Sequence, residues 1–123
     1  MKSLLFIPIC AISLATAAQN LKTNDVPAVV KAALVKQFPQ ASKVGWEKEK
    51  GNYEANWGGR SGEDHSVQFT PGGQFVEQVD AIAVKDLPSS IVSYVKNHYN
   101  TMIKEAGKRL DAKGAHTYEV EVK

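Results

Sequence analysis

The sequence predicts an α+β fold of helices and antiparallel strands, and three observations lead there. The stretch VPAVVKAALVKQF (Val26 to Phe38) returns 61 positions later as LPSSIVSYVKNHY (Leu87 to Tyr99). Within both copies apolar residues recur every fourth place, the period of a helix buried along one stripe. Between the copies the period drops to two, as in antiparallel strands with one dry and one wet face. Self-similarity at a fixed spacing predicts tandem helix-plus-antiparallel-meander units. The first spans residues 26–86, and a partial second spans residues 87–123.

The elements follow in chain order. Lys2, the apolar run Leu4 to Leu14 and the small residues Ala15-Thr16-Ala17-Ala18 read as a secretory signal peptide over residues 1–18, cleaved after Ala17 or Ala18. The run is short for a membrane span, so no stable membrane anchor is expected after cleavage. The only cysteine, Cys10, lies inside this leader. The exported chain, residues 19–123, therefore has no disulfide framework, cysteine metal site or thiol nucleophile. A periplasmic or secreted location follows. Thirteen lysines against two arginines, interleaved with acids as in Glu47-Lys48-Glu49-Lys50, give a formal net charge of +2. Arginine is the preferred bidentate reader of phosphate, so nucleic acid is not an expected partner.

Gln19 to Asp25 reads as a polar lead-in, with Asn24 or Asp25 capping a helix that starts near Pro27. Val26, Val30, Leu34 and Phe38 form its buried stripe with Val29 and Ala33 beside it, and Pro39 ends it. Three strands follow. Val44 and Trp46, then Tyr53, Ala55 and Trp57, then Val67 and Phe69 alternate with polar residues. Glycine-rich turns separate them at Lys50-Gly51-Asn52, Gly58 to Gly62 and Pro71-Gly72-Gly73. A fourth strand, about Gln74 to Ile82, lacks clean alternation. The second helix runs from Asp86 to about Tyr99 with Leu87, Ile91, Val95 and Tyr99 on its stripe, and Ser89 and Ser90 serve its cap. A last hairpin joins Thr101 to Leu110 with His116 to Val122.

Strand parity sorts the candidate site residues. Trp46, Tyr53, Trp57 and Phe69 share the dry face and read as core, with Trp57 a possible exposed strand-end aromatic beside Gly58-Gly59. The opposite parity gives Lys43, Glu47, Glu54, Asn56, Ser66 and Gln68, a helix-free sheet face where a partner protein could dock. The same six residues also read as ordinary solvated surface, because mixed charge with few apolar anchors lacks hot-spot character. Catalysis finds little support. Asp64 precedes His65, but adjacent strand residues point to opposite faces. His98 and His116 share no ligand spacing with it, so no metal site and no cofactor are expected.

The string (V/L)P-x2-V-x3-L…F-P-x-A…K-G-x-Y-E…V-x-F-x3-G-x2-V resembles the PepSY-like, β-lactamase-inhibitor-like (BLIP-like) family of small exported bacterial proteins. Val26-Pro27, Val30, Leu34, Phe38-Pro39, Ala41, Gly51, Tyr53-Glu54, Val67, Phe69, Gly73 and Val76 carry it. Leu87-Pro88, Tyr99, Gly114 and Tyr118-Glu119 repeat it. The resemblance implies joined sheets with helices on one side. Related folds include an inhibitor that grips its enzyme with a sheet surface. A shared fold does not carry an activity with it.

This chain departs from the pattern in its second copy, which has 18 residues between Tyr99 and Tyr118 where the first has 14 between Phe38 and Tyr53. Tyr118 to Val122 is expected near an exposed sheet edge, a place for edge-strand homodimerisation. Three functions remain open at this point. They are an exported non-enzymatic binding module, inhibitory toward a periplasmic or secreted protein; a small-ligand or metal-ion binder; and a small hydrolase using His65.

Overall fold

A computed structural model describes residues 18–123; the leader expected over residues 1–18 lies, apart from Ala18, outside the described residues. Seven strands form one antiparallel sheet in sequential order. They are β1 (Gln19–Leu21), β2 (Gly45–Glu49), β3 (Asn52–Trp57), β4 (His65–Phe69), β5 (Phe75–Ile82), β6 (Ile103–Asp111) and β7 (His116–Val122). Helix α1 (Ala28–Gln37) lies between β1 and β2, and α2 (Ser89–Tyr99) between β5 and β6. The fold is α+β and mostly sheet.

Proline places both helix starts. Pro27 and Pro88 immediately precede the two helices with φ of −55° each, and neither start has a side-chain cap. The capping expected of Asn24, Asp25, Ser89 and Ser90 is therefore absent. Thr23–Asp25 and Val84–Asp86 instead wind into 3-10 turns that deliver Val26 and Leu87 to the core. At the far ends, Pro39 stops α1, while Asn100 closes α2 in the left-handed conformation with φ 47°.

Each helix buries one narrow stripe. Val30 and Leu34 of α1 pack with Val26, Trp46, Ala55, Trp57, Val67 and Phe69. Ile91 and Val95 of α2 pack with Leu87, Ala106 and Val120. The stripes are narrower than the periodicity predicted: Val29 is 50 % and Tyr99 41 % exposed. The ladder explains why both clusters share one side. Ile82 pairs with Ala106 and Ala106 with Val120, in step with Val67 opposite Gln78 and Ala55 opposite Val67. Because side chains alternate, all these residues stand on one face, and both helices cover it.

Two strand expectations change. Gln19 to Leu21 is a strand, held by backbone pairing of Gln19, Asn20 and Leu21 with Lys48, Glu47 and Trp46. Its polar composition hid it, since three residues show no period. Lys43 lies ahead of β2 with φ 53°, which breaks the alternation that placed it with Glu47.

Candidate functional site

Strand pairing assembles the helix-free face from residues far apart in sequence. One rung of the ladder runs Asn20, Glu47, Glu54, Gln68, Glu77, Asp111 across six strands. The next runs Gly45, Asn56, Ser66, Val79, Arg109, Thr117. Glu47, Glu54, Asn56, Ser66 and Gln68 are thus gathered on two adjacent rungs, as parity predicted. Lys43 is not part of them. Glu77, Arg109, Asp111 and Glu119 join the face unforeseen.

The electrostatics of this face are strained. Glu47 stands directly opposite Glu54, and directly opposed like charges destabilise a strand pair. Burial pushes the Glu54 carboxyl up to about 7, with Glu49 and Glu47 adding to the rise against hydrogen bonds from Gln68 and Asn56. The Gln68 amide donates to Glu54 Oε2 at 3.1 Å. Arg109 donates to Glu77 Oε1 at 3.1 Å and lies 4.0 Å from Glu119. Glu119 is raised by burial, by Glu77 and also by Glu49. On the same face the Thr117 hydroxyl is buried without a partner among the described residues.

The opposite face holds a second polar cluster, on the rung Trp57, His65, Asp80, Lys108, Tyr118. His65 Nδ1 lies 2.7 Å from Asp80 Oδ1, and Gln78 Nε2 donates to Asp80 Oδ2 at 2.9 Å. The imidazole packs 5.5 Å from the Trp57 ring, which itself packs 5.5 Å from Phe38. Trp57 is therefore core, 6 % exposed, rather than an open strand-end aromatic. Asp64 does not orient His65: its carboxylate lies over Gly59, where an added Cβ would collide with it. The Asp-His pair that does form comes from cross-strand register, which sequence adjacency could not reveal. No hydroxyl is bonded to the other His65 ring nitrogen among the described residues.

A hollow of about 400 Å³ opens beside the C-terminal end of α2. Val84, Val92, Met102 and Ile103 make its apolar walls, with Lys96, Asn100 and Thr101 at the polar positions. No three carboxylate, imidazole or thiol groups converge as a metal site among the described residues. Nor does any described helix have the length and apolarity to cross a membrane.

One sheet with two helices on one side and, among the described residues, none on the other defines a BLIP-like fold. A BLIP-like protein of Bacteroides fragilis superposes with a TM-score of 0.62 at 17 % identity, covering 79 % of this chain and 71 % of that one. A DUF2874 family protein of Bacteroides uniformis gives a TM-score of 0.67 at 26 % identity, over 79 % and 72 % of the two chains. A protein assigned to the periplasm of Bacteroides eggerthii gives 0.68 at 20 %, over 80 % and 72 %. These names match the BLIP-like half of the sequence resemblance; none of the three is a PepSY name. No protein-family model matches the sequence, and no curated protein does.

Proposed function

We propose that the protein is an exported, non-enzymatic binding module that docks a periplasmic or secreted protein on the helix-free face of its sheet. One observation carries this reading. Both helices are spent on one side, so a seven-stranded sheet presents its other side bare, with Glu47, Glu54, Asn56, Ser66 and Gln68 on adjacent rungs. The BLIP-like and periplasmic neighbours support it. So does the leader expected over residues 1–18. Two related units are the natural origin of such a sheet: the 3-10 turns at Thr23 and Val84 and the helix starts at Ala28 and Ser89 are each 61 positions apart. Where the partner is an enzyme, docking here would act by covering its surface.

Capture from an envelope extract tests the reading. The mature chain should retain one protein in stoichiometric amount. Ser66→Trp, which puts a bulky ring in the middle of the face, should lose it, whereas Val35→Trp on the exposed side of α1 should keep it. Equal capture by the two variants would overturn the proposal. A second reading rests on the hollow beside α2, whose volume suits a small apolar ligand. It requires a ligand-induced thermal shift that Val92→Asp abolishes.

A further inference from the structure

We propose that the partner surface recognised by this face is cationic: a protein segment whose lysine or arginine side chains lie across the rung of Glu47, Glu54, Gln68, Glu77 and Asp111. The inference deepens the docking reading and rests on it.

Charge bookkeeping along the two rungs is the first support. Four carboxylates occupy one rung, and the only cation on either is Arg109. That guanidinium is already engaged by Glu77 and Glu119. Glu47 and Glu54 face each other with no cation bridging them among the described residues, the Glu54 bond being to the neutral Gln68 amide. The acidity is not inherited from an acidic chain, whose formal net charge is +2. Charge is sorted by face, and a predominantly acidic surface attracts and orients an oppositely charged partner.

Shape supports a polypeptide rather than a small ion. Glu47 on β2 and Asp111 on β6 are four strand spacings apart, on the order of 20 Å on a flat sheet. The described carboxylates do not converge on one point. The neighbouring rung is low and mostly neutral at Gly45, Asn56, Ser66 and Val79, so a backbone can rest there while its basic side chains reach the acidic row. Bringing cations in would also relieve the repulsion between Glu47 and Glu54, which the unbound protein has to carry.

Octalysine is the probe, titrated into the mature protein at low ionic strength and followed by calorimetry. Glu47→Gln combined with Glu54→Gln should weaken binding about tenfold or more, the scale of one lost charge-assisted contact. Glu63→Gln combined with Asp86→Asn removes the same charge from exposed turns off the face and should change affinity by less than about twofold. Acidification supplies an independent arm. The titratable groups facing Glu54 are Glu47 and Glu49 on β2, with Glu77 beyond the neutral Gln68 and Ser66 of β4. Wild-type affinity should fall between pH 8 and pH 6, and Glu54→Gln should flatten that fall. Equal loss in the two double variants, or no octalysine binding, would overturn the cationic assignment. If Ser66→Trp still abolished capture of the envelope protein in that event, docking on this face would stand without it. If Ser66→Trp left capture intact, the docking reading would fall as well.

Discussion

Glu54 shows most directly what the helix-free face costs the fold. Its carboxyl is half-buried, opposite Glu47, and pushed up to about 7. A carboxyl raised above its unfolded value favours folding only while protonated. Its contribution is therefore fully present below about pH 4.5 and is lost as pH climbs through 7. Glu54→Gln should stabilise the free protein at pH 8 by roughly 1–2 kcal/mol, allowing for solvent screening. Urea unfolding at pH 5 and pH 8 checks this; a destabilised variant at pH 8 would contradict it. Asp111 works the other way. The amides of Ala115 and Lys113 hold its carboxylate below the usual range, at 2.9 and 2.8 Å, so its support of the β6–β7 turn fades in acid. Glu47, Glu54, Asn56, Ser66 and Gln68 were legible because β2, β3 and β4 alternate cleanly. Glu77, Arg109 and Glu119 were not. The irregularity between Gln68 and Phe69 shifts the register, and β5 has no simple period to reveal it.

At the scale of elements, the two helices do equal topological work with unequal cores. The α1 cluster contains eight buried residues, among them Trp46, Trp57 and Phe69, whereas the α2 cluster has five and no buried aromatic. Buried aromatics contribute the largest apolar areas, so α2 with β6 and β7 should open first. Hydrogen exchange should show faster exchange in the Ile91 to Val95 turn than in Val30 to Leu34; the reverse order would count against this. Leu34→Ala should cost about 2–5 kcal/mol, the usual range for emptying a packed leucine site, read by denaturant midpoint. The helices themselves were readable from fourfold apolar spacing and from Pro27, Pro39 and Pro88. Their caps were misread because proline and a 3-10 turn, rather than a side-chain oxygen, set each start. The four extra residues of the second copy lengthen the β6–β7 hairpin, where β6 has nine residues against five in β2.

At the scale of the whole molecule, the sheet separates two jobs. One face is consumed in packing two helices, and the other is left to a row of carboxylates. The strand β7 is the last of the described sheet, and the edge-paired homodimer expected from the sequence meets the same charges. Glu119 and Glu121 share its helix-free side, so antiparallel self-pairing would bring carboxylates together. Any such dimer should be strengthened in sedimentation by Glu119→Gln combined with Glu121→Gln; a dimer unchanged by the pair would show that these charges are not near the contact. The central claim is that partners meet this protein on the face without helices. Amide chemical-shift mapping with octalysine tests it most directly. The account predicts perturbations concentrated at Glu47, Glu54, Ser66, Gln68 and Glu77. Shifts confined to the exposed surfaces of α1 and α2 would contradict it.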